Sequence, residues 1–379
     1  MSVPGKREDM IVHEQDPYNA EPPRGALAQS ALTPVSSFYS RNHGPIPQID
    51  PGAWSLHVGG LVDCPLELTL PGLKATYGQV TLAATLQCAG NNRKGLIEVR
   101  DIPGEDPWGP GATSTAAWTG VRLGDVLATA GVQPQAAHVA FAAPDQSQLA
   151  EPPQSYGSSI PLVKAIAGEV LLAWAMNGEP LTAAHGAPVR VVVPGYIGAR
   201  SVKWIERITV QREPSTNYFQ QTAYRLLPPD GTPGPGAGIA LGAIGLNCAI
   251  LIPDDGQQLT AGRTTIKGYG PWPATTAASP ASTSAPTMGQ PGGRPTSSRR
   301  PARGPGSCGR PRSTSPPGKC SSWPGRGTAP QHCNPPSPNT SGTPRDTSTT
   351  PGPGSTSPSV AERPDTSQPR RQGCRRPPI

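Results

Sequence analysis

Apolar positions along this chain fall into short runs separated by glycine- and proline-rich turns, and the runs stop near residue 270. Trp54-Ser55-Leu56-His57-Val58 alternates as a half-buried strand does. Residues 123–130 carry apolar side chains at helical spacing, and Gly131 follows as a stop signal. Residues 189–193 form a β-branched run that ends at Pro194-Gly195, and Ile208-Thr209-Val210 is a further short strand. Residues 246–253 and 264–269 read as two strands either side of an Asp254-Asp255-Gly256 turn. Neither a repeat nor a βαβ rhythm emerges. The pattern predicts an α+β domain over residues 31–212, preceded by a polar, proline-broken extended arm over 1–30. Over 213–270 it predicts the start of an immunoglobulin-like β-sandwich, which two strands alone cannot complete.

Composition divides the chain at the same place. Residues 271–379 hold 24 of the 51 prolines and, among Leu, Ile, Val, Phe and Tyr, only Val360 and Ile379. They carry 14 lysines and arginines against 3 acids, which leaves the first 270 residues with 18 against 22. The overall charge of +7 therefore belongs to the tail, and the folded part is mildly acidic. Nucleic-acid binding by that part is not expected. The tail has too little apolar surface to offset the entropy of ordering, so disorder is expected there. The opening Met-Ser-Val-Pro-Gly-Lys-Arg has no apolar run to act as a signal peptide, and no stretch reaches membrane-span length. A cytoplasmic protein with no membrane partner is the expectation. Cys64 and Cys248 read as core residues.

Candidate chemistry gathers at residues 85–93, Thr-Leu-Gln-Cys-Ala-Gly-Asn-Asn-Arg. The soft ligand Cys88 stands five residues before the guanidinium of Arg93, with turn-forming glycine and asparagine between. That pairing suits a metal centre that handles an anion. Spacing alone equally allows a small buried cysteine at 88 and solvated charges at Arg41, Arg93 and Arg190.

Several segments, in order, resemble the sulfite oxidase family over residues 36 to about 270. Beside the cysteine loop stand Phe38-Tyr39-Ser40-Arg41-Asn42-His43, Trp108 with residues 111–121, and Tyr156-Gly157-Ser158-Ser159-Ile160-Pro161. The longest runs from His185-Gly186-Ala187-Pro188-Val189-Arg190 to Arg200-Ser201-Val202-Lys203-Trp204. The resemblance implies a sulfite-oxidase-type molybdopterin domain with Cys88 as the molybdenum ligand. It implies that His43, His185, Arg190 and Lys203 bind the cofactor. Arg41 and Arg93 would contact a small anion, with Trp108 and Tyr224 closing the pocket. The implied reaction is oxidation of sulfite to sulfate by oxo transfer at molybdenum. No haem module is visible, so a separate electron acceptor, oxygen or a cytochrome, is expected. A different small substrate, as in nitrate reduction, and an inactive cofactor-binding protein stand as alternatives. Asn92 departs from the family, which usually has an arginine there, and Ala117 replaces a commonly larger residue.

The tail admits a sharper reading. Shifted by a constant frame, residues 281–292 permit Val-Asp-Val-Ser-Thr-Asp-Asp-Gly-Ala-Thr-Trp, and residues 339–352 permit His-Leu-Trp-Asn-Pro-Lys-Gly-Tyr-Val-Asn-Asn-Ser-Trp. These strings alternate like strands and resemble the family's C-terminal dimerisation domain. The expectation is a frameshift near Pro271 that truncates the sandwich. The family is homodimeric, so dimerisation of this chain is placed in doubt.

Overall fold

The computed structural model describes residues 3–150, 152–228 and 230–270. The chain enters through a hairpin of β1 (Ile11–Gln15) and β2 (Tyr18–Glu21), followed by a helical turn at Arg24–Leu27. Residues 1–30 were expected as an extended arm; instead every residue of β2 is buried. The physical reason is mixed. Tyr18 and Ala20 pack with Met10, while the main chain of Ala20 exchanges two hydrogen bonds with Ser40 at 2.9 and 3.0 Å.

Two five-stranded sheets form the body. The first contains β3 (Ser55–Gly60), β4 (Leu66–Thr69), β7 (His138–Ser147), β8 (Gln154–Pro161) and β12 (Arg207–Gln211), in the order β4-β3-β12-β7-β8. Its pairs are antiparallel except β3 with β12, which run parallel with Val58 beside Ile208. The second contains β5 (Gln79–Gln87), β6 (Thr113–Arg122), β9 (Leu171–Met176), β10 (Glu179–Pro180) and β11 (Arg190–Val192). Here β6 lies between β5 and β9, and both β10 and β11 pair with β9.

Within the second sheet β9 and β11 are buried on both faces, which accounts for their near-continuous apolar runs, whereas β5 and β10 are largely open to solvent. Leu172 and Val191 belong to the main core with Val58, Phe141 and Ile208 of the first sheet. Their neighbours Leu171, Ala173 and Val192 belong to a second core with Trp108, Trp118 and Cys88. This is the two-residue period of a strand placed between two layers. Gly120 sits where β6 shifts register against β9, and a Cβ there would lie 2.1 Å from the Leu172 carbonyl oxygen. The helix Leu123–Ala130 forms as its spacing predicts, burying Leu123, Val126, Leu127 and Ala130. Gly131, at φ +69°, ends it in the left-handed region that favours glycine.

Beyond β12 comes a short pair that was not expected, β13 (Arg225–Leu226) with β14 (Ile239–Ala240). The two predicted strands follow in shortened form, as β15 (Ala249–Ile252) paired with β16 (Lys267–Tyr269). Among the described residues no sandwich closes over 213–270, where Phe219 and Leu251 are the buried apolar side chains. Cys248, expected in a core, is exposed. The expectations of disorder and of a frameshift concern residues 271–379, which lie outside the described residues. No helix among the described residues is long and apolar enough to cross a membrane.

Candidate functional site

Three backbone segments meet at the end of β5. Cys88 follows that strand directly, and its amide donates to the Ala112 carbonyl at 2.8 Å. The chain then turns tightly, with Asn91 N–H on the Cys88 carbonyl at 3.1 Å and Arg93 N–H on the Gly90 carbonyl at 2.9 Å. Asn92 takes φ +65°, a left-handed conformation that asparagine tolerates better than most residues. The second segment, 38–43, is pinned on β2, where the Asn42 amide donates to the Asn19 side-chain oxygen at 2.7 Å. The third comprises the turn Ala183–His185, strand β11 and residues 201–203.

These segments wall one pocket. Arg41, His43, Cys88, His185, Arg190, Lys203 and Tyr224 all line it. Seven of the nine sequence-predicted site residues thus converge from separations of up to 183 positions. Cys88 Sγ is buried and accepts from the Gly90 amide at 3.4 Å. Burial pushes the thiol up, while Arg41, that amide and Arg93 pull it back toward the thiolate.

Arg190 and Lys203 donate to neutral partners. Arg190, 5% exposed, donates to the carbonyls of His185 at 3.0 Å and Ser201 at 2.9 Å, with its guanidinium 5.0 Å from the Trp118 ring centroid. Burial lowers its pKa to about 10. Lys203 donates to the Ala184 carbonyl at 3.1 Å and to the Asn42 side-chain oxygen. Burial and then the neighbouring Arg190 push the Lys203 ammonium well below its ordinary range, and Asp145 opposes them. Burial likewise keeps His43 and His185 neutral. His43 Nε2 lies 2.5 Å from the Tyr224 hydroxyl, and its ring stacks on Tyr156 at 4.6 Å. Burial raises the Tyr224 hydroxyl well above its usual range, so it keeps its proton.

Two predicted residues stand elsewhere. Arg93 was expected to face an anion; its Nη1 instead binds the Glu105 carboxylate at 2.7 Å and the Asp106 carbonyl at 3.0 Å. Trp108 was expected to close the pocket, yet it is fully buried behind it. His13 packs on the Trp108 ring edge-on at 4.6 Å, and Glu21 holds the following loop by accepting from the amides of Gly109 at 2.6 Å and Gly111 at 2.7 Å. The N-terminal hairpin thus draws this loop back, which local sequence did not reveal.

Sequence reasoning also missed Asp145. It lines the pocket, is buried, and its Oδ1 has no hydrogen-bond partner among the described residues. Burial raises its carboxyl and Lys203 lowers it. A signal was available: Val139, Phe141, Ala143 and Asp145 alternate along β7, so a carboxylate occupies an inward position.

The family model described as oxidoreductase molybdopterin binding domain matches residues 43–219. Sulfite oxidase of Arabidopsis thaliana is 39% identical over 284 residues, covering 70% of this chain and 70% of that protein. The chain belongs to the sulfite oxidase family. Human mitochondrial sulfite oxidase is 41% identical over 280 residues, covering 70% of this chain but 49% of that protein, so the chain spans about half the length of this relative. Among solved structures, the sulfane dehydrogenase SoxCD of Paracoccus pantotrophus superposes with a TM-score of 0.54 at 27% identity. That match covers 65% of this chain and 59% of the other. The molybdopterin domain of the sulfite oxidase family therefore accounts for the mixed α/β body described above.

Proposed function

We propose that this protein is a molybdenum oxidoreductase that oxidises sulfite to sulfate, with Cys88 as the protein ligand to a molybdopterin-held metal. The observation that carries the reading is a buried thiol in one pocket with Arg190 and Lys203, cations that donate their hydrogen bonds to carbonyls and a side-chain amide. Buried positive charge of this kind is costly unless an anion joins it. A phosphate-bearing pterin supplies that anion, and its N–H edges suit the free Oδ1 of Asp145. Among the described residues no group of three or more His, Cys, Asp or Glu side chains gathers to hold a metal, so a metal at Cys88 needs donors from a cofactor.

In this reading His185, Arg190, Lys203 and His43 hold the cofactor, and Asp145 orients it. The bound cofactor supplies a two-electron oxo-transfer centre, and the chain supplies position and charge. Arg41, at the pocket with one side toward Asp106 at 3.8 Å, attracts the dianion. Tyr224 donates or shares its proton with His43 at the same wall. Arg93 acts through its field on Cys88, and Trp108 braces the cysteine loop from behind. Electrons leave to a separate acceptor, oxygen or a cytochrome.

Full-length protein expressed with molybdate is expected to reduce ferricyanide on addition of sulfite. Arg41→Met is expected to lower kcat/KM by about 10- to 100-fold, the worth of one or two charged hydrogen bonds. Turnover with nitrate and none with sulfite would overturn the substrate.

The second domain is read as incomplete, with a change of reading frame near Pro271. The relatives match 70% of the chain, about the share that the first 270 residues supply. Sequencing the gene across the codons for residues 265–275 is expected to reveal a neighbouring frame that continues in family-like strands. A neighbouring frame without them would sink the idea. Loss of the strands that complete a dimer interface makes a monomer the expected state.

A further inference from the structure

The N-terminal segment reaches the cofactor pocket through one side chain. Lys6 Nζ lies 2.9 Å from the Val35 carbonyl, 2.6 Å from the Phe38 carbonyl and 2.7 Å from His185 Nε2. The Arg7 amide adds a main-chain bond to the Ser36 carbonyl at 3.2 Å. One ammonium therefore ties together two walls of the pocket. One wall begins at Phe38, directly after the turn Val35–Ser37, and runs on to Arg41 and His43; the other is Ala184 and His185 of the turn Ala183–His185. Three donors meet three acceptors, which is the full hydrogen-bonding capacity of a lysine. No carboxylate lies within ion-pair distance of Lys6 among the described residues.

We infer that Lys6 is a positioning residue of the cofactor site: it donates to His185 Nε2, and so fixes His185 as a neutral ring whose proton is on Nδ1. The inference rests on the cofactor reading above. An ammonium has no lone pair, so the nitrogen it touches must accept, and the remaining ring nitrogen must carry the hydrogen. His185 lines the pocket, and Nδ1–H is then the donor it has left to offer a phosphate or pterin acceptor. The reverse arrangement, a neutral amine accepting from Nε2–H, would also fill the geometry. An anion in the pocket selects the charged form, because it stabilises the ammonium behind the ring. Burial brings Lys6 down to about 7, so such an anion is enough to decide its charge near neutrality. Lys6 thus adds positive charge behind His185 and sets the direction of its remaining hydrogen bond.

Lys6→Met and Lys6→Arg test this in the full chain, with two readouts. The first is molybdenum retained per chain through extended dialysis, with circular dichroism as the check on folding. Lys6→Met is expected to retain molybdenum on the order of 10-fold less well, the scale of partners that orient a ligand, and Lys6→Arg to restore it. The second is the His185 tautomer from two-bond proton–nitrogen correlation spectra, assigned by the signal lost in His185→Asn. The wild type is expected to carry its proton on Nδ1, and Lys6→Met to lose that preference. A wild-type ring protonated on Nε2, or Lys6→Met retaining both tautomer and molybdenum, would overturn the inference, as would equal losses in Met and Arg variants. Wild-type protein that never holds molybdenum would overturn the cofactor reading instead, and the tautomer comparison would then decide the Lys6 contact alone.

Discussion

Cys88→Ser is expected to remove sulfite-dependent ferricyanide reduction, by at least ~100-fold, the upper end of what partners merely orienting a ligand are worth. The substitution changes one atom, so the turn that follows β5 should survive: the Cys88 amide still donates to Ala112, and Asn91 still donates to the residue 88 carbonyl. What disappears is the soft anionic ligand. A thiol that burial pushes up, against the opposing pull of Arg41 and the Gly90 amide, becomes a hydroxyl that stays protonated even beside a metal. X-ray absorption at the molybdenum edge should lose one sulfur scatterer in any metal that remains. A variant with unchanged turnover and an unchanged sulfur count would show that Cys88 is only a buried core residue.

Glu21→Ala is expected to lower the thermal midpoint by roughly 5–15 °C. Glu21 is 2% exposed, and its carboxylate accepts from the amides of Gly109 and Gly111, with His13 Nε2 at 3.0 Å. Truncation leaves both amides without an acceptor, at about 1–3 kcal/mol each. Gly111 packs closely against the Pro22 main chain, where a Cβ would come within 2.6 Å of the Pro22 carbonyl oxygen. The loop carrying Trp108 would loosen, and with it the Ala112 carbonyl that holds the Cys88 amide. Sulfite turnover should fall together with stability. A midpoint within about 2 °C of wild type would mean that water replaces the carboxylate without loss, contrary to the buried geometry.

Much of the fold was legible because its signals are local. The Leu123–Ala130 helix follows from four apolar positions and a glycine, and β11 from a β-branched run. The N-terminal hairpin was not legible, because one of the two faces that β2 buries is polar: Asn19 and Glu21 are held by bonds to Asn42, Gly109 and Gly111, far along the chain. The site was legible in its residue types through the family resemblance. Side-chain direction was not. Arg93 turns to Glu105, and Trp108 retreats under His13, because of partners that no spacing rule connects to them. Asp145 lay within reach of the two-residue period along β7, and Lys6 had no comparable signal.

Elemental analysis reads out whether the pocket around Cys88 holds a molybdenum cofactor. Full-length protein expressed with molybdate and freed of loosely bound metal should carry a stoichiometric complement of molybdenum, and Cys88→Ser should carry far less. Well-folded wild-type protein purified without molybdenum under those conditions would mean that the pocket holds no such cofactor.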